Sequence, residues 1–76
     1  MPKLRKVSGH KALKILCNRF SFKVSGRAGS HVRLFKITPK GKIGTVIPMH
    51  KQLKIGTIKN VLKLAKVSEE EFSEYL

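Results

Sequence analysis

The 76 residues carry 17 Lys and Arg against four acids, a net charge of +13, with three His and a single Cys. A chain this short encloses one small core and buries only about 60% of its unfolded surface, which excludes a deep cleft between lobes and leaves any site to a sheet face or a loop. One cysteine excludes an internal disulfide and a thiolate-rich zinc site, and no window approaches the roughly 18 apolar residues of a membrane span.

A first helix is expected to start at Ser8, a good N-cap. Ala12, Leu13, Leu16 and Cys17 then recur at helical spacing, with Lys11, Lys14 and Asn18 outside and Phe20 closing the apolar face. Cys17, flanked by Leu13 and Leu16, reads as a buried thiol. Ser21 to Ser25 alternates as a strand with Phe22 and Val24 inward. Gly26-Arg27-Ala28-Gly29-Ser30 reads as a Gly-rich connection. His31 to Ile37 and Ile43 to His50 form two further strands, joined through Pro39-Lys40-Gly41-Lys42. If that hairpin is centred between Lys40 and Gly41, Val32 faces Met49 and Leu34 faces Ile47 on the covered side. On the other side His31 then opposes His50, Arg33 opposes Pro48 and Phe35 opposes Val46.

A second helix is expected to open at Gly56-Thr57 with Thr57 as its cap. Ile58, Val61, Leu62 and Ala65 form its apolar stripe. Ser68, with Glu71 three residues later, is a capping-box signature that starts a short last helix carrying Phe72, Tyr75 and Leu76. The fold class predicted is α+β: helix, three-stranded antiparallel sheet, helix and a short C-terminal helix, with one sheet face covered and the other open. Residues 1–76 are expected to form one domain. The basic start, Met1 to Lys6, leads into no signal-type apolar stretch, so a cytoplasmic location and no membrane association are expected.

The charge is segregated. All 17 Lys and Arg lie in residues 1–67, and the four acids are Glu69, Glu70, Glu71 and Glu74. A heat-adapted, lysine-rich surface would raise Glu along with Lys, and here it does not. A polyanion is the partner such a surface fits, because neutralising phosphates releases counterions. Metal-dependent nucleases hold their ions with carboxylates, and residues 1–67 have none. The three His lack the i, i+4 spacing of a helical zinc pair. There is no Ser-His-acid set for acyl transfer and no Walker-type loop for a nucleotide. No metal and no cofactor is therefore expected.

Histidine acid/base chemistry in a cationic field remains, and it suffices for RNA, whose 2′-hydroxyl is an internal nucleophile. DNA lacks that hydroxyl, so if the chain is a nuclease it is a ribonuclease. Composition alone does not make it one. His10, in the first turn of a helix among lysines, reads as exposed or locally packed. His50 can orient a loop or touch RNA. His31, at the head of a strand after a Gly-Ser turn, is open to a structural or a catalytic reading.

Three blocks together resemble the HicA toxin family: Gly29-Ser30-His31, then Val46-Ile47-Pro48-Met49-His50 with Leu53-Lys54-Ile55-Gly56-Thr57-Ile58, and finally Val67-Ser68 with Glu70-Glu71-Phe72. Ser8-Gly9 before a Leu-bearing helix is similar to that family's opening. The resemblance implies a fold like a double-stranded-RNA-binding domain, an mRNA-cleaving toxin and an inhibitory HicB antitoxin. It implies that His31 is the catalytic histidine, base or acid at the 2′-hydroxyl or the leaving oxygen, with Gly29 and Ser30 shaping the loop. Lys23, Arg27, Arg33 and His50 are the candidate RNA-binding or supporting residues. The chain departs from many members in having Val32 where a second His follows the first, and Arg19 where Gly precedes Phe20. A non-catalytic basic RNA-binding module is the alternative reading. A DNA-binding protein is a third, disfavoured by the absence of a helix-turn-helix pattern.

Overall fold

The computed structural model describes residues 4–76, so the first three residues of the basic start lie outside it. The elements run α1 (Gly9–Arg19), β1 (Lys23–Ala28), β2 (His31–Thr38), β3 (Gly41–Pro48), α2 (Ile55–Ala65) and α3 (Glu69–Ser73). The sheet is antiparallel in the order β1-β2-β3. This is the α+β arrangement predicted, consistent with a double-stranded-RNA-binding-domain-like fold.

Ser8 caps α1 as expected, its hydroxyl accepting from the Lys11 N–H at 3.0 Å. The helix buries Gly9, Ala12, Ile15 and Leu16. Leu13 and Cys17 sit half-buried at the rim of the core, so the inward stripe is rotated towards Ile15 relative to the expected one. Partial burial pushes the Cys17 thiol up, because a thiolate loses hydration there. In α2 the stripe Ile58, Val61, Leu62 and Ala65 is buried as predicted. Its start is not: the helix begins at Ile55, with Lys54 at the cap position and no side-chain cap bond. Thr57 therefore lies inside the first turn. Docking sets this start, because Leu53 is buried and its N–H donates to the Val7 carbonyl at 2.7 Å. Ser68 caps α3 through the Glu71 N–H at 3.0 Å, and Phe72 is wholly buried.

The hairpin between β2 and β3 turns one residue earlier than expected. Thr38 pairs with Gly41 around Pro39-Lys40, so His31 opposes Pro48, Val32 opposes Ile47, Arg33 opposes Val46 and Phe35 opposes Gly44. The Thr38 hydroxyl closes the turn, donating to the Gly41 carbonyl at 2.8 Å and accepting from the Lys40 N–H at 3.2 Å. Gly41 takes φ +128, a conformation that side chains disfavour. The pairing differs from the expected one by two residues, and a shift of two keeps each side chain on its own face. Val32, Leu34 and Ile47 are therefore buried as predicted, while Met49, one residue past the end of β3, is half-buried.

The residue opposite Leu34 is Thr45, a polar side chain only 3% exposed. Its hydroxyl donates to the Val61 carbonyl at 2.8 Å and ties β3 to α2. Thr45→Val keeps the shape and removes that bond. We expect a loss of about 0.5–1.5 kcal/mol in denaturant unfolding, the net worth of one such bond; no loss would mean the bond is not formed in solution.

Strand β1 runs to Ala28 and absorbs most of the stretch expected as a connection, leaving only Gly29-Ser30 as the turn. Its register slips between Val24 and Gly26, a bulge at Ser25 whose hydroxyl reaches the Arg33 carbonyl at 3.4 Å. Phe22 is buried as predicted, but Val24 is 53% exposed. The helices pack over β3, so the inward face of the far edge strand lies beyond their cover.

Candidate active site

His31 heads β2 directly after a two-residue turn. Gly29 holds φ +60 in the first turn position, where primed hairpin turns need a positive φ. A Cβ at Gly29 meets nothing within 4 Å, so backbone conformation, not space, selects glycine. The Ser30 carbonyl accepts the Met49 N–H at 2.6 Å, extending the β2–β3 pairing one step past its last strand pair. His31 and Pro48 then form a pair without mutual hydrogen bonds, in which side chains come closest. Pro48 sacrifices no ladder bond, because its nitrogen faces the outer edge of β3.

His31 and Arg33 alternate on the open face, about 6.6 Å apart along the strand. Both are exposed. Lys23 opposes Phe35 and joins this face at its far end. Arg27 does not: it opposes Val32, on the side the helices occupy. The cause is the bulge at Ser25, since an unbroken ladder from Val24–Leu34 would have set Arg27 across from His31.

His50 does not oppose His31; it lies two residues past Pro48, in the segment that leaves the sheet. That segment is tightly held. The His50 carbonyl accepts the Gly9 N–H at 2.9 Å. A Cβ on Gly9 would drive into the Pro48 carbonyl oxygen and lie 3.0 Å from the Met49 Cα. Two backbone bonds, Met49 to Ser30 and Gly9 to His50, thus bring all three histidine-bearing segments to one end of the molecule. All three histidines are exposed. The spacing of the residues could not show this, since His10, His31 and His50 are far apart in sequence; Ser8-Gly9 was visible as an opening motif but not as a close contact.

The positive end of the α1 dipole lies at this same end. The other end of α1 meets the C-terminal residues that follow α3: Arg19 stands 5.1 Å over the Tyr75 ring, and Phe20 packs edge-on against Tyr75 at 5.8 Å. Glu74, next to Tyr75 in the chain, therefore lies near this other end of α1, a helix length, about 16 Å, from the histidine end. Among the described residues no three His, Cys, Asp or Glu side chains converge on one point. What the site offers is imidazole as proton donor or acceptor, with Arg33 beside it and no carboxylate on the sheet.

No curated protein and no solved structure matches the chain. A family model described as the HicA toxin of bacterial toxin–antitoxin systems matches residues 9–67. That span begins at the glycine under Pro48, takes in the Gly29-Ser30-His31 turn and the whole sheet, and ends just after α2; with most of its length matched, the chain belongs to the HicA toxin family.

Proposed function

We propose that this chain is a single-domain, metal-independent endoribonuclease, the mRNA-cleaving toxin of a type II toxin–antitoxin pair acting in the cytoplasm. The observation that carries this reading is the position of His31. It stands exposed at the head of β2, directly after the two-residue Gly29-Ser30 turn, with Arg33 on the same face and no carboxylate in any strand. His31 takes the proton from a ribose 2′-hydroxyl. The 2′-oxygen then attacks the adjacent phosphorus and the bond to the 5′-oxygen breaks. The leaving oxygen takes up a proton from water, and the products are a 2′,3′-cyclic phosphate and a 5′-hydroxyl. Arg33 offsets the charge that builds on the phosphoryl oxygens. Gly29 and Ser30 hold the imidazole in place, and Lys23 and His50 contribute to RNA binding, while Arg27, turned to the other side of the sheet, does not.

The partner in this reading is an acidic HicB-type antitoxin that covers the open face bearing His31 and ends on His50. Such a cover blocks RNA and relieves repulsion among the cations. The deciding experiment incubates purified protein with end-labelled RNA and DNA in excess chelator. Cleavage of RNA alone, with cyclic-phosphate ends, supports the reading; intact RNA leaves only a basic binding module.

Binding has its own signature. If about six phosphates are contacted, log affinity for single-stranded RNA should fall with log salt at a slope near −4. An affinity flat in salt would mean that the charge serves only as a solvated surface.

A further inference from the structure

The open sheet face carries one aromatic ring, Phe35, which neither the chemistry at His31 nor the core requires. Its neighbour across β3 is Gly44. With no side chain at that position, the flank of the ring directly across from Gly44 is left open. A hollow of about 310 Å³ opens on this side, with Arg33, Lys42 and Val46 among its walls. A second, of about 400 Å³, opens on the other side of Phe35 against Lys23 and Ile37. The Lys42 ammonium stands 5.2 Å from the ring centroid. Apolar surface continues outward, with Ile37 68% and Val46 37% exposed.

We propose that Phe35 is a base-stacking platform for single-stranded RNA, flanked by Lys23, Arg33 and Lys42 as phosphate contacts. Flat apolar surface ringed by cations matches a ligand that is itself flat and anionic at regular intervals. Single-stranded nucleic acid has that pattern, whereas a duplex hides its base faces. The charge complementarity is strong, because no acid lies in any strand or in the turns between them. An arriving base takes the ring face, and the Lys42 ammonium turns from the ring to the adjoining phosphate. Phe35 lies four residues from His31 on the same strand face, about 13 Å at 3.3 Å per residue. The stacked base therefore belongs to a nucleotide flanking the cleaved bond, so Phe35 selects and positions rather than reacts. The inference rests on the ribonuclease reading for its ligand and not for its geometry.

The test uses full-length protein with His31→Ala, so that RNA stays whole, and an oligoribonucleotide carrying 2-aminopurine, whose fluorescence falls on stacking. Phe35→Leu in that background should weaken binding by about 5- to 100-fold, the loss expected for one stacked base, and abolish the quenching. Phe35→Trp should retain both, which separates stacking from mere filling of the sheet face. Thermal unfolding of each variant guards against misfolding, and Phe35→Trp decides if Phe35→Leu is unstable. Unchanged affinity and quenching in a folded Phe35→Leu protein overturn the inference, as does a variant that loses only an antitoxin and not RNA. Cleavage by the parent protein with no effect of Phe35→Leu leaves the ribonuclease reading standing and this one fallen. Stacking without cleavage by the parent protein does the reverse.

Discussion

His31→Ala should lower RNA cleavage by about 10²–10⁴-fold while leaving RNA affinity nearly unchanged. Loss of a positioned proton donor or acceptor carries a penalty of that size. The fold should not register the change, because His31 is exposed on the open face and its removal leaves no cavity. Stability is expected within about 1 kcal/mol of the parent, as for other surface substitutions. The Gly29-Ser30 turn and the Met49–Ser30 bond are backbone features and persist. Toxicity on expression should disappear together with cleavage. His10→Ala is the matched control, since it removes an imidazole from the same end of the molecule and lies on a helix, not on the open sheet face. Single-turnover cleavage in chelator reads both variants. Wild-type rates from His31→Ala would remove the catalytic assignment and make His50 the next residue to test.

Gly9→Ala should be among the most destabilising single-methyl changes available to this protein. Helix propensity argues the opposite way, since alanine is favoured over glycine inside a helix by up to about 1 kcal/mol. At Gly9 the added methyl meets the Pro48 carbonyl oxygen and the Met49 Cα. Both are backbone atoms held by the Met49–Ser30 and Gly9–His50 bonds, so neither can swing aside as a side-chain end would. Overpacking of this kind costs about 1–3 kcal/mol and occasionally more. For a domain of this size each kcal/mol lowers the melting temperature by about 4–8 °C, so a drop of about 10 °C is expected. Cleavage should fall as well, because relief of the clash moves the segment carrying His50. Gly56→Ala provides the contrast: it lies in the first turn of α2, its Cβ meets nothing within 4 Å, and stability should hold or rise. If calorimetry shows Gly9→Ala as stable as the parent, the close approach of α1 to Pro48 is not present in solution.

Elements defined by their own periodicity were legible in the residues. Ile58, Val61, Leu62 and Ala65 form a stripe because Val61 and Leu62 lie three and four positions after Ile58 and Ala65 lies four and three after them, and the structure buries all four. Ser8 and Ser68 announce their caps through local chemistry that needs no tertiary partner. The α2 start was not legible, because Leu53 and Val7 set it by docking, while Thr57 imitates a cap. The β2–β3 pairing was half legible. Alternation sorts Val32, Leu34 and Ile47 to one face but is blind to a shift of two, and the turn used is marked by the Thr38 hydroxyl and the positive φ of Gly41. The bulge at Ser25 left no trace in the sequence, since a bulge is a mismatch between two strands and neither shows it alone. It separates Arg27 from the face of His31. Within the site, His31 stood out by resemblance and chemistry, whereas Phe35 became visible only once Gly44 was found across from it.

Anchoring the acidic C-terminal segment to the far end of α1 through Tyr75 has a consequence for encounter as well as for contact. Positive charge without compensation at one pole and a cluster of carboxylates at the other give the molecule a large charge asymmetry along α1. Near a polyanion this exerts a torque, and the protein rotates its glutamate pole away before any surface touches. A larger fraction of collisions then begins with the histidine pole leading, so capture is fastest in dilute salt and slows as the Debye length shrinks. Under the proposed RNA-binding reading, the short acidic helix steers approach from a distance without touching the bound strand.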